Sequence, residues 1–252
     1  MRAPVILAAL AVGCTPAGPT ARTLRVLAAS SLQDAFEALS PSFAAAHDDT
    51  RVELVFAGSH TLAAQVRHGL DADVIASADP RILDALAAEG LAAPARTLAR
   101  NTLVLAVGDT APDGLGLDRL PEAQRIVLGV HTVPVGRYAD ELLASAAATR
   151  GAAWHGGVQA RVVSREPDAR RVAAKVSLGE ADAAIVYATD VRGLPGIRAV
   201  ALPVGLGPVP DYASSVLAGA SEPGLAAAWE AYTRSPEGQA TLRAHGLVTE
   251  GP

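Results

Sequence analysis

Short apolar runs alternate with amphipathic stretches along most of this chain, and that alternation limits the possible folds more than any other feature. Leu24–Ala28, Val52–Phe56 and Asp73–Ala76 read as strands. Between the first two, Leu32, Phe36, Leu39 and Phe43 recur at helical spacing and define one apolar face. Leu62–Leu70 reads as a second helix, and Pro80 opens a third at a position that proline tolerates. The middle of the chain repeats the scheme. Thr102–Val107, Ile126–Gly129, Arg161–Val163 and Ala183–Tyr187 read as strands, with helices over Gly136–Ala148 and Asp168–Leu178. Ser214–Leu217 is a last candidate strand, and Leu225–Thr233 and Pro236–Ala244 are closing helices. Such alternation predicts an α/β fold, with largely parallel sheets covered by helices on their faces.

The 252 residues suffice for two lobes of about 100 residues each. No internal repeat is visible, and the Pro- and Gly-rich Pro203–Pro210 reads as a connection. The expected division has a first lobe of residues 24–99 completed by 211–252, with a second lobe, 100–210, inserted between them. Two crossings of that kind make a hinge and leave a ligand cleft.

Half of the residues are hydrophobic and 19% are charged, which fits a folded chain rather than a disordered one. The net charge is −5, and no run of basic residues supplies the cluster that nucleic acid requires. At the N-terminus, Arg2 and the apolar run Val5–Val12 have the form of a signal peptide, too short to span a bilayer. Residues 1–13 are expected to be removed, leaving Cys14 as a lipid-bearing first residue and residues 14–23 as a tether. The alternative is an ordinary secretion signal with an incidental cysteine. Cys14 is the only cysteine, so neither an internal disulfide nor a multi-cysteine metal site can form.

Four places put small or hydroxyl residues between a strand and a helix start: Ser30-Ser31, Gly58-Ser59, Pro134-Val135-Gly136 and Pro167-Asp168-Ala169. A helix start has free N–H groups and a partial positive charge, so it suits an anion. In open α/β sheets these loops lie at the carboxyl ends of the strands, where ligands bind. Each one alone is equally well explained as ordinary capping.

Beyond these features, whole phrases resemble those of the periplasmic molybdate-binding proteins of ABC importers. They are Leu27–Leu32, Phe56–Gln65, Gly69–Asp79, Val133–Tyr138, Gly179–Asp190 and Ser235–Leu247. The resemblance runs from about Leu24 to Leu247. It implies a two-lobe type II periplasmic-binding-protein fold, no enzymatic activity, no cofactor and a monomer. It also implies delivery of the ligand to an inner-membrane permease, from the periplasm or the cell surface. In that family the anion meets only neutral donors. Carried over by motif, these fall on Ser31, Ser59, Val135, Ala169 and Tyr187. Family members often have Ala where Val135 stands and a small residue where His60 stands. His60 reads as a further donor or as a solvent-facing side chain. Ser30 stands where Ala is common and adds a possible hydroxyl.

None of the five carried-over positions is acidic. A fully deprotonated oxyanion has no hydrogen to donate, whereas hydrogen phosphate asks for an acceptor. This favours molybdate, tungstate or sulfate over phosphate. Asp168 and Asp190 are the nearest acids in sequence. Arg137 and Arg170, each one or two residues past a proposed donor, read as helix-surface arginines in solvent. A hydrolase is the competing class, but no GxSxG elbow and no HExxH pair occur. The four tyrosines include no adjacent pair of the kind that ferric-ion binders of this fold use. Trp154 and Trp229 read as packing residues.

Overall fold

The computed structural model describes residues 22–249. The expected signal peptide, most of the expected tether and Cys14, the expected lipidation site, lie outside the described residues.

The chain opens with β1 (Arg22–Ala29), a 3-10 turn over Ser30–Leu32, α1 (Gln33–Ala45), β2 (Thr50–Ala57) and α2 (Ser59–Arg67). It continues with β3 (Val74–Ser77), α3 (Pro80–Ala88) and β4 (Arg96–Arg100). A second group follows: β5 (Leu103–Gly108), β6 (Ile126–Gly129), α4 (Pro134–Arg150), α5 (Ala152–Gln159) and β7 (Val162–Glu166). It closes with α6 (Ala169–Ser177), β8 (Ala183–Tyr187), α7 (Ala188–Val191) and β9 (Ile197–Ala201). The chain then returns through β10 (Asp211–Val216) to α8 (Pro223–Arg234) and α9 (Pro236–Ala244).

The strands form two five-stranded sheets, ordered β2-β1-β3-β10-β4 and β7-β6-β8-β5-β9. Each has a parallel trio, β2-β1-β3 or β7-β6-β8, then an antiparallel strand, β10 or β5, and an edge strand, β4 or β9, paired antiparallel to it. The two lobes therefore share one topology, although the sequence shows no repeat. The antiparallel strand beside each trio, β10 or β5, follows a crossing between lobes. At the crossings, the Asn101 N–H donates to Pro210 O at 2.9 Å, so the two connecting segments are tied to each other.

Local physics explains most elements. The predicted face of α1, Phe36, Leu39 and Phe43, is fully buried and meets Trp229 of α8 edge-on, with ring centroids 5.5 Å from Phe36 and 5.1 Å from Phe43. Trp154 is half-buried and its indole N–H donates to Asp118 O at 3.0 Å. The edge strands β4 and β9 and the short helix α5 were not predicted. β4 and β9 expose charged or small residues at most positions, and α5 carries Gly156-Gly157, which weakens the helical signal.

The third strand of each sheet is anchored by a buried aspartate one residue before it. Asp73 accepts from the N–H groups of Arg25 and Glu222, both at 2.8 Å, and so ties the C-terminal segment to β1. Asp182 accepts from the N–H groups of Gln124 and Arg125, the Thr110 hydroxyl and the Arg125 guanidinium. Desolvation opposes the charged form of Asp182, but these donors outweigh it and hold the carboxyl below its ordinary range. A depressed folded pKa gives stability that is present above the unfolded value and lost as pH falls through the folded one. Asp182→Ala should lower the unfolding free energy by about 3 kcal/mol in urea titration at neutral pH, and the difference should shrink in acid.

Candidate functional site

The loops beyond the carboxyl ends of the two parallel trios meet and line one small, partly open pocket. Its lining includes Ser30, Ser31, Ser59, Val135, Ala169 and Tyr187, together with Gly58 and Asp168. The structure thus brings together all five carried-over residues and Ser30. His60 on α2 is exposed and is not part of the lining. The cavity measures about 20 Å³. Pockets for organic ligands measure roughly 300–1,000 Å³, so only a very small guest fits between these loops as they stand.

Each loop supplies donors for a local reason. Ser59 is the first residue of α2, and no side chain caps that helix. Val135 is the second residue of α4, likewise uncapped, after a proline with no N–H to satisfy. Gly136 lets this start approach the sheet, since a Cβ there would lie 2.1 Å from Val130 O. Ala169 opens α6. Asp168 caps that helix by accepting from Arg171 N–H at 2.9 Å, and its other oxygen lies 3.4 Å from the Arg171 guanidinium. The one acid in the lining is therefore committed to its own helix. The N–H groups of Ala169 and Val135 have no partner within their helices.

The two serines are arranged as donors. Ser59 Oγ accepts from Ala78 N–H at 3.1 Å, which leaves its hydrogen for the cavity. Ser31 Oγ lies 2.6 Å from the Tyr212 hydroxyl, and Asn101 Nδ2 donates to the same phenol oxygen at 3.2 Å. This arrangement lets Tyr212 donate to Ser31 and leaves the Ser31 hydrogen for the cavity. Tyr187 stands edge-on between Tyr138 and Tyr212, with ring centroids 6.4 and 5.8 Å away. Its hydroxyl is buried without a hydrogen-bond partner, and burial holds its pKa well above the ordinary value, so it is a neutral donor. Tyr212 and Asn101 were not among the sequence candidates. Their contacts to Ser31 and to each other span 181 and 111 residues, and no local pattern marks such a network.

No cationic side chain lines the cavity. Arg137 and Arg170, expected in solvent, instead bridge the lobes. Arg137 of α4 donates to Asp79 Oδ2 at 2.9 Å, and the neighbouring Tyr138 hydroxyl to Ala78 O at 3.2 Å. Arg170 of α6 donates to Ser30 O at 3.2 Å and to Asp34 at 2.6 Å. Both stand on helix surfaces, but those surfaces face the other lobe rather than solvent. Asp190, behind Tyr187, is wholly buried. Burial pushes its pKa up to about 7, against the pull of Arg170, whose Nε lies 4.0 Å away. Among the described residues, no group of three or more His, Cys, Asp or Glu is placed to hold a metal ion.

Tyr187→Phe should leave the melting temperature of the ligand-free protein unchanged or slightly higher, because the buried hydroxyl contributes no hydrogen bond there. A fall of several degrees in calorimetry would contradict this description of the tyrosine.

Comparison with known proteins agrees with this geometry. The chain is 34% identical over 240 residues to the molybdate-binding protein ModA of Mycobacterium tuberculosis, a match covering 93% of this chain and 88% of the relative. The periplasmic molybdate-binding protein of Azotobacter vinelandii superposes with a TM-score of 0.77 at 19% identity, over 90% of this chain and all of that one. The sulfate-binding protein SubI of Mycobacterium tuberculosis gives 0.76 at 17% identity, over 90% and 86%. These two likenesses show the two-lobe α/β fold. The sequence profile of bacterial extracellular solute-binding proteins matches residues 24–248. The chain belongs to the bacterial extracellular solute-binding protein family, a family of binding proteins rather than enzymes.

Proposed function

We propose that this protein is the solute-binding component of an ABC importer and that it captures molybdate, or its near-twin tungstate. The observation that supports this most is a cavity of about 20 Å³ rimmed by neutral donors from both lobes, with no lining cation and its one acid engaged elsewhere. Ser31 and Ser59 offer hydroxyls and N–H groups, Val135 and Ala169 offer N–H groups, and Tyr187 offers its phenol. Helix starts supply the positive potential. The mycobacterial relative, similar over nearly the whole chain, is a molybdate-binding protein. Sulfate is the second reading, because a donor-only cavity suits any fully deprotonated tetrahedral dianion and the SubI fold is close.

The same proposal includes the path of the chain to its place of work. Residues 1–13 act as a signal peptide, and Cys14 becomes the lipidated end of a tether over 14–23. Residues 24–99 with 211–252 and residues 100–210 act as two lobes of a monomer that hands its ligand to a membrane permease.

Titration calorimetry of the mature protein should show saturable binding of molybdate, and saturation at 100 times Kd should add about 2.7 kcal/mol of stability. Sulfate and phosphate should do much less. Ser31→Ala and Ser59→Ala should each weaken binding by about 1–3 kcal/mol. If no oxyanion raises the melting temperature, the proposed function is wrong.

A further inference from the structure

One close approach between the lobes leaves no room for a side chain at a position to which no ligand-binding role is assigned. Gly58 ends the β2 loop of the first lobe, and Pro167 ends the β7 loop of the second. A Cβ added to Gly58 would lie 2.4 Å from Pro167 O and 3.6 Å from Asp168 Cβ. Side chains essentially never approach within 3.0 Å of such an atom, so the carbonyl would have to withdraw by about 0.6 Å or more. The obstacle is backbone, not the movable end of a side chain. The conformation of Gly58 itself is ordinary: φ −62° and ψ 139° suit any residue. Nothing within the first lobe demands glycine here. The demand comes from the other lobe alone.

We infer that Gly58 sets how far the cleft closes: its missing side chain lets the α2 and α6 starts reach the anion together. The inference rests on the reading of the cleft as an anion site formed by closure. The surrounding contacts agree with it. Arg137 to Asp79, Tyr138 to Ala78 O, and Arg170 to Ser30 O and Asp34 all form across the same boundary. All of them stretch when the Gly58–Pro167 gap widens. Ser59, next in sequence, and Ala169, two residues beyond Pro167, are donors from opposite lobes, so the same widening pulls them apart.

The test compares wild type with Gly58→Ala by sodium molybdate titration, ligand-free melting and solution scattering. Alanine is compatible with the backbone here and restricts the unfolded chain, so the ligand-free melting temperature should hold or rise slightly. Affinity for molybdate should fall by about 100-fold or more, because the closed state is scarcely populated. At saturating molybdate, the radius of gyration of wild type should contract, and that of Gly58→Ala should contract less. Molybdate affinity within about threefold of wild type overturns the inference. So does weaker binding accompanied by full contraction, which would mean local damage to Ser59. A ligand-free melting temperature that drops by several degrees also overturns it, since the two loops would then touch without ligand. A wild type that binds no oxyanion refutes the reading of the site and this inference with it. A wild type that binds, beside an alanine variant that binds equally, refutes this inference alone.

Discussion

Desolvation of a small, doubly charged anion is the constraint on which the arrangement at the cleft depends. Burying such a charge is prohibitive unless hydrogen bonds and fixed dipoles replace its water. Helix starts provide both at once, and the fold positions several of them without distortion. Because the two sheets have the same topology and the loops beyond their carboxyl ends meet, α2, α4 and α6 and the 3-10 turn before α1 converge on one point. The proposed neutral donors suit this task better than arginines, since they are backbone N–H groups or hydroxyls on short or buried side chains and lose little side-chain freedom on binding. The serines gain direction from having their oxygens occupied, Ser59 by Ala78 N–H and Ser31 by Tyr212.

The cations have a different role. Arg137 and Arg170 carry their charge across the cleft, to Asp79 and Asp34, beside the cavity rather than in it. Desolvation lowers and Arg81 and Arg137 raise the preference for ionised Asp79, and the partners prevail, so its carboxylate stays charged across the neutral range. Anion binding and lobe closure thus draw on separate groups. The contacts of Arg137, Tyr138 and Arg170 exist only where the lobes meet, so under the proposed closure they would add to the stability of the ligand-bound form. Tyr212 links the site to the crossings: it stands on β10, touches Ser31, and accepts from Asn101 in the segment between β4 and β5.

Much of this was legible in the residues. The strand and helix periods, the apolar face of α1 and the small residues before the helices are local signals, and the structure has an element at each of those positions. What lay beyond reach is non-local. The partnership of Ser31 with Tyr212 depends on how two distant strands come to be neighbours. Arg137 and Arg170 sit on solvent-type helix faces, and only the opposing lobe gives them partners. Asp168 and Asp190 were ambiguous because their directions depend on a cap and on burial behind Tyr187. The edge strands β4 and β9 lack a buried face on both sides and so lack the continuous apolar run that marks β1 or β8.

The central claim, that a dianion is held by neutral donors alone, is tested most directly by a crystal structure grown with molybdate, using anomalous scattering from molybdenum. One strong peak is expected between the lobes, with oxygens in hydrogen-bond range of the Ser31, Ser59 and Tyr187 hydroxyls and the Val135 and Ala169 N–H groups. A peak elsewhere, or one with Arg137 or Arg170 directly on the anion, would contradict it.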